Sequence, residues 1–184
     1  MKGILKLEPR EFLTDKPRFP DFPFAEWERR IKRAKELMSE NGVDVLVLWK
    51  RENIRYFFGF QTTHWEMASL QPAVGIIPLD KEPCLVVPDM LSANAQIFGW
   101  CREIWYQSDA HHVTKERELP KDVALLLKEM GYGNKRIALE MGPLGVMYIP
   151  RPLNDIEVFK NELSSAKFVD GDKVIWGCRM IKSP

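Results

Sequence analysis

The chain has 184 residues, 45% of them hydrophobic, and 27 Lys+Arg stand against 26 Asp+Glu for a net charge of +1. A length of this order suits one domain with an arm at one end, and a domain of ~150 residues buries about 70% of its unfolded surface, so a core can form without staples. The balanced charge excludes the clustered cation excess that nucleic acid or an anionic membrane surface requires, and no run approaches the ~20 apolar residues of a membrane span.

In chain order, residues 1–23 carry Pro9, Pro17, Pro20 and Pro23 among charged residues. Proline at that density blocks helix and sheet ladders, so an extended arm on the surface is expected. The start, MKGILKLEPREF, lacks the apolar stretch and small-residue cleavage site of a signal peptide. Cys84, Cys101 and Cys178 are single and odd in number, which suits reduced, buried thiols in a cytoplasmic protein. Phe24, Trp27, Ile31, Ala34 and Met38 then recur at steps of three and four, the stripe of an amphipathic helix stopped by Asn41-Gly42. VDVLVLW, residues 43–49, is short, apolar and β-branched, as a buried strand should be. ENIRYFFGF, residues 52–60, reads as one helical turn broken by Gly59 near the edge of a sheet.

PAVGIIPL and PCLVVP, separated by DKE, form a hairpin pattern. LSANAQIFGW is a short helix that Ser92 or Asp89 can cap, and REIWYQ another strand. The loop SDAHHVTKERELP leads to a helix in KDVALLLKEMGYG, with Pro120 near its first turn and Gly131 or Gly133 at its end. KRIALEMG is a strand, RPLNDIEVFKNEL a helix, AKFVDG a short strand, and DKVIWGCRMI a helix with Val174, Cys178 and Ile181 on one face. Helix and strand alternate around one hairpin, so the expected fold is α/β: a three-layer mixed sheet flanked by helices.

The chemistry-bearing motifs are sparse. GYGNKR lacks the third glycine of a phosphate loop and precedes a strand. The histidines are His64, His111 and His112; Cys101 with one of them is the one conceivable nucleophile–base pair, without local support. His111 and His112 are adjacent and diverge on any regular element, so even with Asp109 nearby they suit a solvated loop better than a chelate. The stretch RYFFGFQTTHWEM, residues 55–67, is the most unusual, with five aromatics and a histidine around Gly59. At least two of Tyr56, Phe57 and Phe58 belong in a core. Thr62, Thr63, His64 and Trp65 suit a pocket wall or interface as well as a plain loop.

Several of these stretches together resemble one family. RIKRAKELMSENGVDVLVLWKRENIRYFFGF, RIALEMG and the closing RMIKSP are similar, in order and spacing, to the creatinase/prolidase N-terminal domain, over residues 24–184. In prolidases, X-Pro aminopeptidases and creatinases that domain, with its ribonuclease H-like motif, precedes the catalytic pita-bread domain. The resemblance divides the chain into an arm at 1–23, the α/β domain at 24–170, and a connector helix at 171–184 leading to an absent catalytic domain, where it would find its packing partner.

The resemblance implies that the family's two divalent metal ions, held by two Asp, one His and two Glu, belong to that absent domain. This chain would then have no catalytic residue, no metal and no cofactor of its own. It implies a homodimer through the parent protein, in which this domain leans over the partner's active site, and a peptide or small amide as substrate. Phe60, Thr62, His64 and Trp65 are the residues it places beside substrate or interface. Residues 59–66 hold no arginine, which counts against creatine as substrate, since creatine-hydrolysing members carry one there. The expected function is thus the accessory domain of a metal-dependent X-Pro dipeptidase or aminopeptidase. The alternatives are a non-catalytic peptide- or protein-binding module of the same architecture, and a free-standing hydrolase using Cys101 or a histidine.

Overall fold

Strands with both faces apolar need cover on both sides, and that requirement sets the architecture. A computed structural model of the chain describes residues 4–6, 16–62, 73–107, 119–141 and 153–181. Seven strands form one sheet: β1 (Ile4–Lys6), β2 (Val45–Leu48), β3 (Val74–Pro78), β4 (Cys84–Pro88), β5 (Glu103–Gln107), β6 (Arg136–Leu139) and β7 (Lys167–Asp170). Their lateral order is β1-β5-β4-β3-β2-β6-β7. The β2–β3–β4 run is antiparallel, whereas β4–β5 and β2–β6–β7 are parallel.

Alternation along the strands divides the core. Leu46, Leu48, Ile77, Leu85, Val87, Ile104 and Ala138 face one side. Val45, Val47, Ile76, Val86, Ile137 and Leu139 face the other. Helices α1 (Phe24–Glu40), α2 (Arg51–Phe58), α3 (Ser92–Phe98) and α6 (Asp172–Arg179) cover the first face; α4 (Leu119–Glu129) and α5 (Leu153–Glu162) cover the second. This is the expected three-layer α/β arrangement around a mixed sheet.

The local details refine several expectations. The proline-rich segment does not keep the chain out of the sheet. Ile4–Lys6 precede the first proline and pair antiparallel with Trp105–Gln107, placing Ile4 in the core. The aromatic stretch does not lie at a sheet edge, because α2 follows β2, an interior strand, and packs on β3 and α1. It is eight residues long rather than one turn, and ends where Gly59 adopts φ +71°. Helix α3 has no side-chain cap from Ser92 or Asp89; a 3₁₀ turn at Asp89–Leu91 runs directly into it. Helix α6 already has a partner within the domain, since Val174, Ile175 and Cys178 are buried against α1. Gly177 lets the two helices close: a Cβ there would lie 2.8 Å from Leu37 Cδ1. Ile181, expected on that face, is 51% exposed.

The described part of the arm, residues 16–23, is fixed by aromatic and polar contacts. The Arg30 guanidinium lies between the rings of Phe22 and Tyr56, 4.1 and 4.2 Å from their centroids. It donates to Glu26 (2.6 Å) and to the Tyr56 carbonyl (2.7 Å). Trp100 Nε1 donates to the Phe22 carbonyl (2.7 Å), and Asp21 pairs with Arg55 (2.6 Å).

Two substitutions test this packing. A Cβ on Gly75 would overlap the buried Phe58 ring, whose Cζ would lie 2.9 Å away. Gly75→Ala is therefore expected to lower stability by about 2 kcal/mol in urea denaturation, by overpacking a ring that cannot retreat. Hydrogen bonds from Arg29 and Arg30 hold the Glu26 carboxyl at about 2, below its ordinary 4.5. A carboxyl depressed in the folded state contributes stability that is complete above 4.5 and is lost as pH falls towards 2. Glu26→Gln should thus flatten the acid limb of a stability–pH curve across that window and leave its shape at higher pH unchanged.

Candidate functional site

The carboxyl ends of the parallel strands are where an open α/β sheet usually receives a ligand, at the point where successive connections leave on opposite faces. Here that point lies between β2 and β6. The chain leaves β2 into α2 on one face and leaves β6 towards α5 on the other. The crevice is filled by the chain itself. Glu140, the first residue after β6, turns its carboxylate into the gap. Its Oε2 accepts the backbone N–H of Trp49 (2.5 Å) and of Lys50 (2.9 Å), and its Oε1 accepts the Asn53 side-chain amide. Asn53 is 3% exposed, and its Oδ1 accepts Arg179 Nη1 at 2.6 Å.

The sequence folds this way because the ladder runs out. β2 and β6 end side by side, with Val47 opposite Leu139, so the next amides of the β2 chain have no strand to donate to. Helix α2 also starts without a side-chain cap of its own. One carboxylate supplies both needs and sits at the positive end of the helix. Burial pushes the Glu140 carboxyl up, and the donors from Asn53, Trp49 and Lys50 pull it back. All three hydrogen-bond partners around it are donors, so the arrangement is complete with the anion in place. Chemically it is a lock rather than a reactive centre.

The sequence-predicted residues are distributed around α2. Phe60 follows Gly59 and is fully buried in the core that α1 and α2 share. Gln61 donates to Asp21 at 3.1 Å, and Thr62 is half-buried at the end of this described stretch. His64 and Trp65 lie outside the described residues, as do His111 and His112. Phe57 and Phe58 are wholly buried, while Tyr56 is half-buried and donates its hydroxyl to the Cys178 carbonyl (3.0 Å).

Cys101 does not suit the nucleophile role. It is 1% exposed, its thiol donates to the Pro83 carbonyl (3.1 Å), and burial pushes it up to about 12. No thiolate forms there at neutral pH. Among the described residues no three His, Cys, Asp or Glu side chains converge as a metal would need. No described helix is long and apolar enough to cross a membrane.

The family model for the creatinase/prolidase N-terminal domain matches residues 30–181. The chain belongs to that family. An uncharacterised hydrolase/peptidase of Sinorhizobium fredii is 28% identical over 165 residues, covering 88% of this chain and 40% of that protein. The fold matches the N-terminal domain of the cytoplasmic peptidase PepQ from Mycobacterium tuberculosis H37Rv, at a TM-score of 0.59 and 14% identity, over 82% of this chain and 98% of that one. It also matches the dipeptidase PepE from Mycobacterium ulcerans (TM-score 0.64, 16% identity), over 88% of this chain but 38% of that one. The chain thus spans about two fifths of the length of the curated relative it matches. These similar proteins carry peptidase, dipeptidase or hydrolase names, and the family that this chain belongs to is the creatinase/prolidase N-terminal domain.

The lock at the ends of β2 and β6 was not assigned from the sequence, although Asn53, Glu140 and Arg179 all lie in the stretches that carry the resemblance. The available signal was a lone glutamate closing the apolar strand RIAL, next to an asparagine on the buried side of a short helix. Glu140→Gln would replace one acceptor oxygen by a donor among donors. A loss of about 2–3 kcal/mol is expected from this, read as a lower urea midpoint at unchanged slope.

Proposed function

We propose that this chain is the accessory domain of a two-domain, metal-dependent X-Pro dipeptidase or aminopeptidase, and that it shapes substrate access rather than performing chemistry. The observation that carries the reading is the filled crevice. Where an α/β sheet of this kind would take a ligand, the chain places its own Glu140 on the Trp49 and Lys50 amides. The buried Cys101 and the absence of a converging ligand set among the described residues point the same way. The residues that touch substrate are then Thr62, His64 and Trp65, in the stretch that follows α2 and the buried Phe60.

The segment that follows this domain in the longer relatives would hold two divalent ions and the hydrolytic machinery. Two copies would pair so that the loop of one protomer lies over the active site of its partner, with a short peptide as substrate. Positioning of this kind is a substantial contribution to rate, because a misplacement of ~1 Å can cost ~100-fold. The likeness to a cytoplasmic peptidase domain supports a cytoplasmic setting.

The test joins residues 1–184 to the segment that follows them in the source gene and assays X-Pro dipeptides. Hydrolysis by the joined protein, abolished by chelation and absent from residues 1–184 alone, is the expected result. In the active protein His64→Ala should raise KM by about tenfold with a smaller effect on kcat, as removal of a binding contact does. Binding without turnover would replace this reading with the peptide-binding module. Turnover by residues 1–184 alone would sink both.

A further inference from the structure

The last helix and the candidate loop are joined through α2. Arg179 ends α6 and donates to Asn53 Oδ1 at 2.6 Å, near the start of α2. One residue earlier, the Cys178 carbonyl accepts the Tyr56 hydroxyl at 3.0 Å, one helical turn further along α2. The end of α6 is therefore bound to two successive turns of α2. On its other side α2 is held by Glu140, through Asn53 and the Trp49 and Lys50 amides, and by Arg30, which stacks on Tyr56 and bonds its carbonyl.

Beyond Tyr56 the chain has little freedom before the loop. The Phe58 carbonyl accepts the Trp100 amide (3.2 Å), and Gly59 is so close to α3 that a Cβ would lie 3.3 Å from the Phe98 carbonyl. Phe60 is then sealed in the core, and Gln61 is tied to Asp21. The orientation of α2 thus sets the direction in which residues 60–62 leave the domain. Asn53 is the hinge pin of this arrangement. Its amide serves a cation and an anion at once, in the one orientation that satisfies both.

We propose that Arg179 is a positioning residue: through Asn53, and beside the hydrogen bond from Tyr56 to the Cys178 carbonyl, it couples the end of α6 to α2, and so sets the root of the loop at Gly59–Thr62. A shift of α6 is passed on because α2 is short and bonded at both ends, so it moves as a rigid element. The Arg179 guanidinium also lies 5.2 Å from the Trp176 ring, which directs it back along its own helix towards Asn53. The relevance to catalysis rests on the accessory-domain reading; the coupling itself does not.

Amide hydrogen exchange on residues 1–184 separates the two. Arg179→Met keeps an unbranched apolar side chain and removes the guanidinium, both as donor to Asn53 and as the group over the Trp176 ring. The expected result is exchange on the order of tenfold faster across residues 49–62 as well as in α6, with β3 and β4 unchanged. Arg179→Lys retains one donor and should give the same pattern at smaller size. If only α6 exchanges faster, or no segment does, the coupling is wrong. If every segment speeds up equally, Arg179 acts on global stability alone and the proposal is again overturned. Should Arg179→Met fail to fold, the Lys variant is decided by the same criterion. A joined protein with no peptidase activity would sink the accessory-domain reading while leaving the exchange result intact.

Discussion

Two parallel strands that end side by side leave amides with nowhere to donate, and the way Glu140 resolves this governs much of the rest. The carboxylate takes the Trp49 and Lys50 N–H groups just beyond β2 and, through Asn53, reaches the Arg179 guanidinium on the last helix. Three elements distant in sequence thereby meet at the carboxyl ends of two interior strands. An isolated carboxylate in such a place would carry a desolvation cost of several kcal/mol; with three donors shared over its two oxygens it becomes a fixed point instead.

Filling that crevice also decides what the domain can do. Many α/β domains use the positive start of a helix beside the strand ends to receive an anionic ligand. Here the anion is covalently part of the chain, so the place is taken. Under the accessory-domain reading proposed above, function would pass to the stretch that follows α2. The same logic explains why the sheet can be so apolar: with chemistry absent from its centre, Val45, Leu46, Val47 and Leu48 are all fully buried, and packing alone dictates their identity.

The chain belongs to the creatinase/prolidase N-terminal domain family. The matched relatives whose whole chains are longer share this domain over roughly two fifths of their length. The PepQ domain of Mycobacterium tuberculosis H37Rv, matched over 98% of its chain, has a solved structure as a domain alone. A core closed on both sheet faces, with α6 docked on α1, is the physical reason such a unit can stand by itself.

The alternating apolar runs were legible in the sequence because strand and helix periods are local. Residues 45–48, 74–78 and 84–88 could bury two faces only as interior strands, and the stripe from Trp27 to Met38 could only be one face of a helix. The stops at Asn41-Gly42 and Gly59 were legible too, since a left-handed backbone at φ 62° and 71° suits glycine. What the sequence alone did not decide was which separated segments meet. Ile4–Lys6 became a strand because an edge next to β5 was open, the helix at 172–179 packs on α1, and Phe60 went inward although polar residues follow it. Glu140, Asn53 and Arg179 are individually unremarkable residues. Their roles come from distances of a few ångströms across 87 and 126 positions of chain, and only the tertiary structure fixes those.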